Sequence, residues 1–248
     1  EEREFQVYYQ PKVNIKDKTL CGAEALVRWQ RDGKLISPMQ FIPQLEREGS
    51  IIKLDYYMLE EVCHFLRKWM DEGHAPICIS VNFSRKHLDE DDMVEHIVSI
   101  LDEHGIAHQY IEIELTESED FQNYEIMTNI VNELSEAGIG TSMDDFGTGF
   151  SSLNMIKKLD LKVIKIDRSF IPLETDYSGK DKDMIMFCNI VTLLRELGKK
   201  TIAEGVETQQ QLRYLENVGC DIVQGYVFDK PLCEADFRKR LENGYGSC

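Results

Sequence analysis

The residues able to do chemistry in this chain stand at the ends of short apolar runs. Glu24 follows "LCGA", Asn82 follows "ISV", and Glu114 closes the alternation Ile111, Glu112, Ile113, Glu114. Asp144 and Asp145 adjoin each other after "IGTSM", Lys165 and Asp167 alternate in "VIKID", Glu204 follows "TIA", and Gln224 follows "DIV". One such carboxylate is ordinarily a satisfied structural group, and an Asp near Gly is ordinary turn chemistry. The set is different. An ionised carboxylate buried without a partner is strongly unfavourable, and several converging on one site repel one another. Lys165 supplies one positive charge against Glu24, Glu114, Asp144, Asp145 and Glu204. Divalent cations are the natural remainder. The donors are hard oxygens with no Cys or His among them, which favours Mg²⁺ or Mn²⁺, with Ca²⁺ as a non-productive and therefore inhibitory occupant. An adjacent aspartate pair able to bridge suits two ions a few ångströms apart, an arrangement that activates water for in-line displacement at phosphorus.

The elements that must carry these groups alternate in type. "FQVYYQPKVNI" and "TLCGAEALVRW" are separated by "KDK" and read as an antiparallel hairpin. "KLDYYMLEEVCHFLRKWMDEG" places Leu54, Met58, Val62, Phe65, Leu66 and Trp69 on one helical stripe. Strand and helix then alternate to the end: "PICISVNFS", "YIEIELTE", "IGTSMDD", "LKVIKIDRSF", "KTIAEGVE" and "DIVQGYVFDKPL" are strands. Eight strands with helical crossovers imply parallel pairing and an α/β fold, a (β/α)8 barrel whose first strand runs against the rest. Active sites in such barrels gather at the C-terminal ends of the strands, where the acids lie. "GTG" (Gly147, Gly149) is a weak phosphate-loop signal by itself; directly after two aspartates it reads as a loop that responds to ligand occupancy.

Composition narrows the class. The 248 residues, 42% of them hydrophobic, suit one barrel domain spanning 1–248. A net charge of −17 argues against a nucleic-acid duplex as partner. Seven cysteines without a C-x-x-C pair read as reduced thiols of a cytoplasmic protein. No apolar run approaches a membrane span, so this domain is not expected to contact a membrane. The chain lacks an initial Met and starts within a few residues of a strand. It therefore reads as a domain excised from a longer multidomain protein, whose parent could be membrane-anchored. His104 and His108 in "HGIAH" have helical zinc-ligand spacing, but Gly105 falls between them and the segment reads as a helix-end loop.

The motifs "YQP" (9–11), "EALVRW" (24–29), "SPMQFIP" (37–43), "SVNFS" (80–84), "ELTES" (114–118), "DDFGTGFSSL" (144–153), "KIDRSFI" (165–171), "AEGVET" (203–208) and "QGYVF" (224–228), in this order, resemble the EAL-domain cyclic di-GMP phosphodiesterases. The resemblance implies a modified TIM-type barrel with an antiparallel first strand. It implies hydrolysis of cyclic di-GMP to linear pGpG with two Mg²⁺ or Mn²⁺ ions. It also implies a homodimer, and a diguanylate-cyclase-like or sensor domain upstream in the parent chain. By the same resemblance, Glu24, Asn82, Glu114 and Asp144 would hold the first ion, with Asp144 bridging and Asp145 serving the second. Lys165 would orient the attacking water, and Glu204 would be a metal-site carboxylate and general base. Gln10 and Arg28 would contact substrate, Arg28 at phosphate. Glu207 and Gln224 would act through metal-bound water and surrounding contacts, Gln224 also toward substrate; Asp167 would lie in that surrounding shell, and Glu117 would hold the 144–150 loop. Phe150 stands where the family usually has Tyr, but no ligand position is lost, which argues against a non-catalytic receptor. An enolase-like proton abstractor with Lys165 as base fits Asn82 and the paired aspartates poorly.

Overall fold

A computed structural model describes residues 4–116, 124–146, 156, 159, 161–171 and 182–245. The chain opens on a hairpin of β1 (Phe5–Asn14) and β2 (Leu20–Arg31), which pair antiparallel with Gln10 opposite Glu24. A short strand, β3 (Lys34–Ile36), folds back on β2. The ladder then continues through β4 (Ile79–Phe83), β5 (Ile111–Thr116), β6 (Gly140–Phe146), β7 (Val163–Ile166), β8 (Lys200–Ala203) and β9 (Ile222–Gln224), each parallel to the last. β2 runs parallel to β4, and β1 runs antiparallel to both β2 and β9. The ring β1-β9-β8-β7-β6-β5-β4-β2 thus closes on itself, which leaves no open edge within it. A last short strand, β10 (Leu232–Cys233), pairs with the outer part of β1. This is the expected eight-stranded barrel with one reversed strand.

The helices wrap the barrel in chain order: α1 (Pro38–Glu48), α2 (Ile51–Asp71), α3 (Met93–Glu103), α4 (Tyr124–Glu136), α5 (Lys182–Glu196), α6 (Gln209–Val218) and α7 (Glu234–Asn243). The stripe anticipated on α2 is buried in full, from Leu54 to Trp69. Outward-facing strand residues meet it: the Tyr9 ring lies 4.8 Å from that of Phe65 and 4.7 Å from that of Phe237 on α7. Ends are made by ordinary devices. Thr208 and Gln211 form a reciprocal cap at the start of α6, and Gly219 closes it at φ 80°. No helix among the described residues is long and apolar enough to cross a membrane.

Strand alternation sorts the barrel into two unlike faces. Ile79, Val81 and Phe83 on β4 and Ile111, Ile113 and Leu115 on β5 turn outward and are buried under helices. Their alternates, Ser80, Asn82, Glu112 and Glu114, turn inward. Barrel interiors are commonly filled by Val, Ile and Leu; here the apolar core lies between barrel and helices, and the interior is polar.

Three elements differ from the sequence expectation. β3 and α1 were not expected. α1 starts on Pro38 and carries Pro43 inside. A proline costs nothing in the first turn, where the missing N–H has no partner to lose, yet two prolines disguise the helical pattern. The final strand is also shorter than "DIVQGYVFDKPL". It stops at Gln224, because Gly225 packs so tightly that a Cβ there would lie 2.2 Å from the Val206 carbonyl oxygen.

Candidate active site

The parallel register fixes which inward groups are neighbours across the strands. Glu24 lies beside Ser80 and Ser80 beside Glu112, while Asn82 lies beside Glu114 and Glu114 beside Ser142. Thr116 pairs with Asp144 one step nearer the mouth. The result places Lys165 at the centre. Its ammonium Nζ lies 2.5 Å from Glu114, 2.9 Å from Glu204, 3.0 Å from Asp144 and 3.2 Å from Glu24. Lys165 and Glu114 are completely buried. Asn82 Nδ2 donates to Glu24 Oε1 at 2.8 Å, and Gln224 Nε2 donates to Glu24 Oε2 at 2.5 Å.

One correction concerns charge. The sequence reading counted a single cation inside the ring, and a second is present. Lys12 is buried one tier below, donating to Ser80 Oγ at 2.7 Å, Glu112 Oε1 at 2.9 Å and Glu114 Oε1 at 3.0 Å. Period two from Gln10 places Lys12 on the same face, so the signal was available in "QPK". Glu112 was visible in the same way, as the alternate of Glu114, but had no partner to suggest its use. Arg168, also unassigned from sequence, lines the mouth beside Arg28. Its side chain fills the space where a Cβ on Gly205 would stand, 2.7 Å from Arg168 Cβ.

The electrostatics follow from burial. Removal from water pushes the Glu24 carboxyl up, with Glu114 and Asp144 adding to the effect against Lys165. Burial likewise holds Glu204 well above the carboxylate range. Burial would also raise Glu114, but the ammonium groups of Lys165 and Lys12 outweigh it and pull it down to about 2. Burial alone would lower Lys165; the surrounding carboxylates, Glu114 foremost, reverse this and keep it charged.

Oxygens of Glu24, Glu114 and Asp144 all lie within 4.8 Å of one another, close enough to share a divalent ion. Gln224, whose Nε2 donates to Glu24, has its Oε1 buried with no hydrogen-bond partner among the described residues. Hard oxygen donors, a surplus of negative charge and an unused amide oxygen fit a hard divalent cation.

The remaining expected residues fall in three groups. Gln10, Arg28, Glu207 and Gln224 line a cleft of about 670 Å³ over Glu24. Gln10 donates to the Asp229 carbonyl at 2.7 Å, and Arg28 donates to the Val27 carbonyl at 2.8 Å. Asp167 caps the turn Arg168–Phe170 by accepting from the Ser169 N–H at 2.9 Å, a local use that accounts for it. Asp145 belongs to β6, but its side chain lies outside the described residues, as do Glu117, Gly147, Gly149 and Phe150 altogether.

A closed barrel with an antiparallel first strand, a polar interior and acids at the mouth defines a TIM-type domain with an acidic cluster able to hold a metal ion. The EAL-domain family model matches residues 1–231, and the chain belongs to the EAL family. It is 36% identical over 233 residues to the bifunctional diguanylate cyclase/cyclic di-GMP phosphodiesterase MucR of Pseudomonas aeruginosa, covering 94% of this chain and 34% of that protein. It is also 36% identical over 230 residues to the cyclic di-GMP phosphodiesterase NbdA of the same organism, covering 92% of this chain and 29% of NbdA. The chain thus spans about a third of the length of these relatives. A solved MucR phosphodiesterase in complex with c-di-GMP superposes with a TM-score of 0.85 at 36% identity, covering 95% of this chain and 94% of that one.

Proposed function

We infer that this chain hydrolyses one phosphodiester of cyclic di-GMP to linear pGpG, using two Mg²⁺ or Mn²⁺ ions. The observation that carries the reading is the set of four carboxylates around the single Lys165 ammonium. Fully ionised, they need further positive charge, which a divalent ion would supply in place of the protons that burial favours on Glu24 and Glu204. Relatives sharing about a third of their residues with the chain are named for this activity or carry this ligand.

Glu24, Asn82, Glu114 and Asp144 would hold one ion, and Asp144, Asp145 and Glu204 the other. When bound, such ions supply Lewis-acid activation of water and neutralise charge at phosphorus. Lys165, kept protonated by its neighbours, orients the water through its N–H groups and does not accept the proton. Glu204, 2.9 Å from Lys165 at the same site, would take the proton, directly or through water. Water oxygen bonds to phosphorus as its proton passes to Glu204, the bond to the 3′ oxygen breaks, and that oxygen leaves as a hydroxyl on taking up that proton. Arg28 and Arg168 offer planar forks to the phosphates, and Gln10 and Gln224 face the same cleft. Dimerisation at the 144–150 loop and control by a further domain of a longer parent belong to the same proposal.

Incubation with cyclic di-GMP and Mg²⁺, Mn²⁺ or Ca²⁺, followed by chromatography of the products, tests the reading. Linear dinucleotide is expected with Mg²⁺ or Mn²⁺ and suppression with Ca²⁺. Tight binding with no product in any metal would make the domain a receptor, and turnover in Ca²⁺ at the Mg²⁺ rate would break the mechanism.

A further inference from the structure

Away from the barrel mouth, two histidines from different helices meet. His64 lies on the exposed side of α2, and His104 ends α3. Their Nε2 atoms are 3.3 Å apart, with the rings nearly perpendicular at 86° and centroids at 4.7 Å. The "HGIAH" segment therefore does not use its own two histidines together. His108 turns instead to the Ala137 carbonyl and Asp102.

We propose that His64 and His104 form a surface site for a borderline divalent transition cation such as Zn²⁺ or Cu²⁺. Spacing is the first argument. Two imidazole nitrogens about 2.0–2.1 Å from a tetrahedral ion stand about 3.3–3.4 Å apart, which is the separation observed. The second argument is the partner behind the His104 ring. His104 Nδ1 lies 2.8 Å from the Ile100 carbonyl, so Nδ1 carries the hydrogen and Nε2 presents a lone pair. His64 Nδ1 lies 3.7 Å from the Glu61 carboxylate one turn earlier. That is an electrostatic approach beyond hydrogen-bond reach, and the exposed ring can take the Nδ1–H tautomer that opens its Nε2. A carbonyl behind a ligating imidazole, as at His104, is the arrangement that fixes tautomer and raises basicity at metal sites. The third argument is position. The pair sits at the C-terminal end of α3, where the helix dipole favours a cation, on a chain of net charge −17. Water completes the coordination, since His64 is largely exposed, its side chain 59% accessible. An ion there ties α2 to α3 outside the barrel. The site differs in kind from the mouth, whose expected donors are hard oxygens with no imidazole among them.

That difference makes the test selective. With excess Mg²⁺ present to fill the acidic mouth, equimolar Cu²⁺ is added to the untagged chain and its electron paramagnetic resonance spectrum recorded. Superhyperfine coupling to two imidazole nitrogens is expected, and His64→Ala and His104→Ala should each reduce it. His108→Ala should leave it unchanged. His64 is a surface position, so His64→Ala decides even if His104→Ala folds poorly. A wild-type spectrum without imidazole coupling, or one that His64→Ala does not alter, overturns the proposal whatever the fate of the phosphodiesterase reading.

Discussion

Two buried lysines divide the barrel interior into unlike tiers. Around Lys12 the charges close. Its three ammonium protons go to Ser80, Glu112 and Glu114, and Ser142 Oγ donates a further bond to Glu112 at 3.0 Å. Around Lys165 they do not, because four carboxylates approach one ammonium. Counting both tiers, two lysines face Glu24, Glu112, Glu114, Asp144 and Glu204, so the formal sum is 2 − 5 = −3. The lower tier is a finished piece of structure, whereas the upper tier keeps a surplus of acid that protons or a bound cation can offset. Glu114 belongs to both and couples them.

The sharpest way to break this contrast is Lys165→Met. The side chain keeps its bulk and loses its charge. Turnover of cyclic di-GMP should fall by about 10²–10⁴-fold, the range expected when a positioned acid–base or electrostatic group is removed. Far-ultraviolet circular dichroism should be little changed, because the ions can still offset the acids. Near-normal turnover in this variant would mean that the upper tier is structural, like the lower.

Lys12→Met should act the other way round. It strands Glu112 and half of Glu114 in a buried setting, where breaking an ion pair costs about 3–5 kcal/mol. Urea unfolding should show that loss, and adding Glu112→Leu should recover part of it, since an apolar pair of similar volume replaces the buried charges. If stability is unchanged but turnover collapses, Lys12 serves the reaction and the two tiers are not distinct.

The contrast also explains what the sequence could disclose. The upper tier was legible because its acids sit at strand ends, where period-two alternation and a barrel's open face mark them. The lower tier was not, because Lys12 looks like any polar residue in a hairpin until the ring closes. Closure brings β1 within reach of β5, about a hundred residues away in sequence. Its one local hint is Gly22, opposite Lys12 in the register, where a Cβ would lie 3.0 Å from the Cys78 carbonyl and 3.7 Å from the lysine stem. The antiparallel first strand was legible from the three-residue gap of the hairpin. α1 was hidden by its prolines, and the stop after Gln224 by a tertiary clash that Gly225 alone avoids. The His64–His104 contact could not be read at all, since nothing local ties residues forty apart on separate helices.

The smallest expected effect lies in protons, and it sharpens the division between tiers. In the metal-free chain burial raises Glu24 and Glu204, so both hold protons at a pH where a free carboxylate has lost them. Between the unfolded and the raised folded values the folded state binds more protons than the unfolded one, so the metal-free chain loses stability as pH rises through that window. Glu114 has the opposite sign. Held at about 2 by the two lysines, it contributes stability above its unfolded value and loses it as pH falls from there toward about 2. Ion binding requires ionised carboxylates and so must expel the protons of Glu24 and Glu204, while Glu114 has none to give. Apparent affinity for Mg²⁺ or Mn²⁺ should therefore rise with pH through the window of the raised pair and level off above it. Titration calorimetry in two buffers of different ionisation enthalpy should report net proton release at mildly acidic pH, and Glu204→Gln should reduce it. Binding with no proton release across that window would mean that Lys165 already neutralises the upper tier, and the asymmetry between the two lysines would vanish.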